Sequence, residues 1–485
     1  MARFPLLLAA AAALSLPGAA RAATTFGAAE DTPKFVEDGG AAVFADMNDV
    51  GFVADRVSVL WDPSDPFLIE RRAGLERMVA TAAKTGVKIV FSVYPKTALG
   101  VPTSEGGRAA FASFLQVLAR VYPHVDEFIV GNEPNQPRFW QPQFDRRCRN
   151  ASAVDYEALL ARSYDALKAV RPEVRVVGAA LSPRGNDNCR ASDNISTSPV
   201  RFMATLGAAY RASDRQRPLM DMLAFHPYPN PQRQTDPPSR GYQWPNAGVP
   251  NLDRVKQAFE DAFAGTRQPT FTHGLKLVLD EVGWQVTIPT ALDALYSGFE
   301  NVKTVTEAAQ SLYYADVIRR FTCDPAVGSV FFFHLVDETD LDRFQSGLER
   351  ADGSHRPSYD TVKETLAQSG GRCLGTPVRW RPATGVVGAW ARLRSHSLAF
   401  GATEDATSTV TLVRLPSRAL TGDRIPTGAT VVSSVDRRVH AYVQARPSAQ
   451  PLAGEPGTYV YKLTLRAAAN PRRQSVVLSR PFTLR

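Results

Sequence analysis

The chain has 485 residues, 44% of them hydrophobic and 21% charged, with a formal net charge of +8. This is the composition of a soluble globular protein, and the length is too great for one ordinary core, so two domains are expected, one of them large. Lys and Arg form no dense block, which excludes a nucleic-acid arm; the surplus charge reads as solvated surface rather than as a seat for an anionic glycan or envelope surface.

Residues 1–22 read as a secretory signal. Arg3 gives the positive start, "PLLLAAAAALSLPG" the apolar middle and "ARA" before Ala23 the small-residue cleavage site. The run is too short to span a bilayer comfortably, and no later stretch resembles a membrane span. The protein is therefore expected outside the cytoplasm. In that setting Cys148, Cys189, Cys323 and Cys373 read as disulfides. Four cysteines allow three pairings, of which chain order suggests Cys148–Cys189 and Cys323–Cys373. No CxxC pair is present, so zinc is not expected. Asn150 and Asn194 match the N-glycosylation pattern, which matters only in a host that uses it.

After the signal, apolar runs of strand length alternate with amphipathic segments of helix length. "TTFGAAE" (24–30) precedes a helix around 38–50, and "DRVSVLW" (55–61) precedes 67–86. "VKIVFSVYP" (87–95) precedes 106–122, and "DEFIVGNEP" (126–134) precedes 153–170. "VRVVGAALSP" (174–183) precedes 198–212, and "MDMLAFHPYP" (220–229) precedes 251–263. "LKLVLDEVGW" (275–284) precedes 305–321, and "GSVFFFHLVDE" (328–338) precedes 358–368. The strands are continuous apolar runs, as parallel strands buried on both faces require. Gly86, Gly207 and Gly265 are expected at or just beyond helix ends. Eight such units predict a (β/α)8 barrel over 23–372. An open doubly wound sheet would want a Gly-rich phosphate turn after its first strand, and "TTFGAAEDTPKF" has none.

A short linker near 370–377 leads to a region, 377–485, of different character. Short alternating segments ("VVGAWARLRSH", "TSTVTLVRL", "RRVHAYVQAR", "GTYVYKLTLRAA", "SVVLSRPFTL") separated by Gly, Pro and Asn predict a β-sandwich, with "GTYVYKL" similar to a late strand of immunoglobulin-like domains.

A parallel barrel carries its working residues at the carboxyl ends of its strands. Strand 2 carries Arg56 and ends at Trp61; strand 4 ends at Asn132-Glu133-Pro134; strand 6 at His226-Pro227-Tyr228. Strand 7 ends at Asp280-Glu281 with Gly283-Trp284 beyond, and strand 8 carries His334. Glu133 and Glu281 would flank a ligand in the barrel mouth, an arrangement suited to cleaving a glycosidic bond.

These residues resemble a known group. "GNEPN" and "LDEVGW" are similar to the acid/base and nucleophile motifs of the clan A retaining glycoside hydrolases, which include family 5 cellulase-like and family 39 xylosidase-like enzymes. The resemblance spans roughly 24–370. It includes "DRVSVLW", "FHPYP" and "GLERADGSHRPSY". It implies Glu133 as general acid/base and Glu281 as nucleophile. Arg56 and Tyr228 would favour the charge of Glu281, Asn132 would hold a sugar hydroxyl, and His226 would orient the site. Trp61, Trp140, Trp244 and Trp284 are candidate sugar platforms. Many members carry a sugar-stacking Trp at strand 8. Here the sequence is "FFFHLVDE", so either Phe333 or His334 serves or the substrate is bound differently. Asp280 is assigned to structure. Asp337, Glu338, Asp340 and Asp342 read as a solvated acidic loop in preference to a calcium site. No metal or organic cofactor is expected. The expected partner is an oligo- or polysaccharide, without membrane insertion, and the expected state a monomer. Two other readings are a barrel that binds carbohydrate without turnover and an envelope adhesion protein in which the β-sandwich is the working part.

Overall fold

The computed structural model describes residues 23–484 except 235, 396, 417–423 and 447–455. The expected signal at 1–22 lies outside the described residues. Eight parallel strands close on themselves: β1 (Thr25–Ala29), β2 (Ala54–Trp61), β3 (Lys88–Pro95), β4 (Glu127–Val130), β5 (Arg175–Leu181), β6 (Met222–Phe225), β7 (Lys276–Val282) and β8 (Val327–Phe333). The last returns to the first, with Phe26 opposite Val330 and Ala28 opposite Phe332. Each is followed by a helix: α1 (Ala41–Val50), α2 (Arg72–Thr85), α3 (Glu105–Val121), α4 (Ala151–Val170), α5 (Pro199–Ala212), α6 (Leu252–Phe263), α7 (Glu307–Phe321) and α8 (Pro357–Ser369). The expected (β/α)8 barrel is present.

Alternation along each strand divides the apolar residues into two layers. Ala54, Val90, Ile129, Val177, Ala224 and Val278 fill the barrel interior. Val57, Val59, Phe91, Phe128 and Leu279 face the helices in a larger outer core. Both faces are dry, which is why the strands read as unbroken apolar runs. Gly86 closes α2 with φ 78°, and Gly265 follows α6 with φ 74°. Gly207 differs from expectation, since it lies inside α5. A Cβ there would stand 2.4 Å from the Ala262 carbonyl oxygen, so glycine lets α5 approach α6 closely. The two disulfides are Cys148–Cys189, joining the loops after β4 and β5, and Cys323–Cys373, joining the segments after α7 and α8. Asn150 caps α4, its side chain accepting from the Ala153 N–H at 3.0 Å.

The C-terminal region forms two antiparallel sheets. One pairs β9 (Trp390–Arg394) with β10 (Ser397–Gly401). The other has β11 (Ala406–Leu415), β12 (Thr430–Val439), β13 (Gly457–Ala467), β14 (Gln474–Leu478) and β15 (Phe482–Leu484). Phe400 and Leu398 of the first sheet share a core with Leu412, Tyr461 and Leu463 of the second. The expected strand in "RRVHAYVQAR" is largely displaced. β12 runs from Thr430 to Val439 and is exposed along most of its length, so its sequence lacks the alternation of a half-buried strand.

Arg473 fastens this region to the barrel. Its guanidinium meets Glu404 at 2.7 Å within the β region and Asp261 of α6 at 2.9 Å. All three side chains are buried, so removing the cation leaves two adjacent carboxylates without compensation. Arg473→Ala is expected to cost about 3–5 kcal/mol, seen in calorimetry as loss of a single unfolding transition in favour of two. A second expectation concerns Glu349, in the loop after β8. Burial, with the charges of Asp46 and Glu30, pushes its carboxyl up to about 7. A raised carboxyl stabilises the fold while protonated, and that contribution fades as pH rises from the unfolded value, roughly 4.3, toward 7. Glu349→Gln should therefore raise Tm by a few degrees at pH 8 and have little effect at pH 4.5.

Candidate active site

The carboxyl ends of the barrel strands open into a cleft of about 690 Å³. Its floor begins with a backbone anomaly. After β4 the chain turns through Gly131 at φ 85°, and Glu133 itself sits at φ 39°. In β5, Ala179 and Ala180 are also left-handed, at φ 80° and 43°, where the pairing with β6 is irregular. Such conformations are costly for residues with a Cβ and persist only where their surroundings fix them. Here the Glu133 N–H donates to the Ala180 carbonyl at 2.9 Å. The buried Tyr156 hydroxyl donates to the Val130 carbonyl and accepts from the Ala179 N–H, each at 2.6 Å. Asn135 then pins the two loops together. Its amide donates to the Ser182 and Thr197 carbonyls at 3.1 and 2.9 Å, and its oxygen accepts from the Ser182 N–H. The strain is thus held exactly where a carboxyl must be aimed inward rather than along the strand.

The side chains meet around His226, which is fully buried just beyond β6. Its Nδ1 lies 3.0 Å from Glu133 Oε1 and 3.4 Å from Glu281 Oε2; its Nε2 lies 3.1 Å from Asp280 Oδ2. Burial works against charge on the imidazole. The fields of Asp280 and Glu281, with hydrogen bonds to Asp280 and Glu133, outweigh it and raise the pKa well above the ordinary histidine value. The charged form is thereby favoured, and in that form His226 donates to both Glu133 and Asp280.

Arg56, inside β2 and 4% exposed, holds the other flank. It lies 3.1 Å from Glu281 Oε1 and 3.8 Å from Asp280, and it donates to Asn132 Oδ1 at 2.9 Å. Burial again opposes the charge, and Glu281 and Asp280 more than offset it. Tyr228 donates to Glu281 Oε2 at 2.9 Å. Burial and the charge of Glu281 raise its hydroxyl well above the usual phenol range, so it keeps its proton and acts as a donor.

Six residues expected at the site, Glu133, Glu281, Arg56, Asn132, Tyr228 and His334, all line this cleft, and His226 lies directly behind it. Asp280 does more than fill space, since it orients the imidazole from behind. The tryptophans correct the expectation. Trp61 is 2% exposed and packs on Phe111 at 5.3 Å; Trp284 is fully buried against Tyr313 and Tyr314. Trp140 is buried on Tyr156, and Trp244 bounds a separate cavity toward the β region. None of the four lines the cleft. The largest apolar side chains are consumed by packing between barrel and helices. The aromatic lining comes instead from Tyr94, Phe139, Tyr228, Tyr242, Phe333 and Phe344. Phe344, at φ 73°, sets its ring 5.1 Å from that of Tyr228.

The acidic loop after β8 also differs from expectation. Asp337 is buried in a bidentate pair with Arg356, at 2.8 and 2.5 Å, and accepts from the Tyr296 hydroxyl. Its charge belongs to the loop's internal support, while Glu338 and Asp340 lie at the edge near Arg343. Sequence patterns carry no signal for Tyr156, whose role depends on where β4 and β5 lie side by side. Asn135 stood within the quoted motif but without an assigned part.

No family model matches the chain, and no curated protein matches it. Solved structures match it. A family 39 glycoside hydrolase from the gut symbiont Bacteroides cellulosilyticus WH2 aligns at a TM-score of 0.50 over 86% of this chain and 79% of that one, with 17% identity. A glucosidase from Croceicoccus marinus aligns at a TM-score of 0.50 over 88% and 93%, with 13% identity. At such identities the likeness is one of fold: this chain is built like these glycoside hydrolases, on an eight-stranded parallel barrel.

Proposed function

We propose that the protein is an exported retaining glycoside hydrolase, with Glu281 as nucleophile and Glu133 as general acid/base. The observation that carries this reading is the pair of carboxyl groups meeting at one imidazole nitrogen. Their nearest approach cannot exceed the sum of the two distances from His226 Nδ1, 3.0 and 3.4 Å. That closeness is compatible with the about 5–5.5 Å between the carboxyl groups of retaining enzymes.

The roles follow from the surroundings. Three carboxyl groups, Glu133, Asp280 and Glu281, face two cations, Arg56 and His226. Glu281 receives Arg56 and Tyr228, which suits a nucleophile, and Asp280 receives His226 and lies near Arg56. Glu133, the most exposed of the three at 15%, faces the cleft, where the general acid must bring a proton to the substrate. It passes that proton to the departing glycosidic oxygen as Glu281 bonds to the anomeric carbon. The resulting ester is broken by water, whose proton returns to Glu133, and the sugar leaves with its original configuration. Asn132, held by Arg56, presents its amide to a hydroxyl of the reacting sugar. The two disulfides fit an oxidising compartment, and among the described residues no helix is long and apolar enough to cross a membrane.

Two substitutions test the roles on aryl glycosides. Glu281→Ala should abolish turnover, and azide should restore it with a glycosyl azide of inverted anomeric configuration; recovery of a retained azide would point to Glu133 instead. Glu133→Ala should slow glycosides with poor leaving groups by about 10²–10⁴-fold and those with good leaving groups much less in the first step. Equal loss across leaving groups contradicts the acid assignment.

A further inference from the structure

We infer that the cleft is built for a glycan bearing an anionic group, a carboxylate or a sulfate, seated on Arg138 and Arg184 at the rim outside the reacting sugar. This rests on the hydrolase reading of the same cleft and names its substrate class. Most of the other charged side chains lining the cleft have a partner within the fold. Arg56 meets Glu281, Asp31 meets Lys34 at 2.8 Å, Glu133 meets His226, and Glu338 lies 3.8 Å from Arg343. Asp342 accepts from Asn301. Arg138 and Arg184 line the same cleft and are exposed, and among the described residues neither guanidinium has a carboxylate partner. They stand on neighbouring walls, the loops after β4 and β5, which Gln136 ties together by donating to the Arg184 carbonyl. The catalytic carboxyls lie on the floor, so the two cations address a substituent or a neighbouring residue of the glycan.

A second observation points to a ligand. Gln234 lines the cleft at 5% exposure, and among the described residues neither its amide nitrogen nor its oxygen has a partner; His334 Nε2, at 7%, has none among them either. Unpartnered buried polar groups are costly unless something else satisfies them. Sugar hydroxyls would satisfy both groups, while an arginine fork suits a carboxylate or sulfate.

The test uses full-length Glu281→Gln, so that turnover does not consume the probe, and measures affinity for matched neutral and anionic glycans. The pairs are xylan with glucuronoxylan, galactan with polygalacturonate, and agarose with carrageenan. The tightest ligand should be anionic, carboxylated or sulfated members telling the two sources apart. Adding Arg138→Ala and Arg184→Ala should weaken it by about 10- to 100-fold and flatten its salt dependence, while Arg138→Lys with Arg184→Lys keeps part of the affinity. A melting curve checks that each variant is folded. Tightest binding to a neutral glycan, binding to no anionic member, or full affinity in the double alanine variant overturns the inference. Wild-type enzyme on the same glycans separates the two ideas. Hydrolysis without charge preference removes the anion site and leaves the hydrolase. Arginine-dependent binding without hydrolysis leaves the anion site and removes the hydrolase.

Discussion

The site depends on one constraint: a single buried imidazole has to hold carboxyl groups from β4 and β7 at the same time. His226 does so because Asp280 grips its far nitrogen and the ring has no other room to turn. Burying three carboxyls and a guanidinium so close together would be prohibitive if each were unpaired. Here every one has an opposite charge or a donor within reach. The cluster therefore works as a unit, and removing any member alters the charge felt by the rest.

The barrel supplies the rigidity this needs. Strands dry on both faces leave no slack in the positions of their ends. The local strain at Glu133, Ala179 and Ala180 is absorbed by Tyr156 and Asn135, which hydrogen-bond to the backbone there. Sites on rigid elements, with supporting hydrogen bonds behind them, keep their geometry better than sites on free loops. The β region adds a further brace through Arg473, which meets Asp261 of α6 away from the cleft.

What was legible in the sequence follows from this division. The barrel could be read because parallel strands need long apolar runs, and those runs are local. Glu133 and Glu281 stood out because an acid just after such a run is anomalous without a use. The tryptophans misled because size and aromaticity are equally good for stacking on sugar and for filling a core; only depth separates the two, and depth is tertiary. Gly207 misled in the same way, since a glycine for close helix approach and a glycine for a helix end are the same letter. Tyr156, Asn135 and the part played by Asp280 depend on which loops lie side by side, for which periodicity has no signal. In the β region, β12 faces solvent along most of its length, so the alternation that marks a strand is faint there.

The central claim is a division of labour between two glutamates across a narrow gap, with a covalent intermediate on one of them. The most direct measurement is proton NMR of the sugar first released from a glycoside of known anomeric configuration, recorded before mutarotation. The account predicts a product of unchanged configuration; a product of opposite configuration would contradict it.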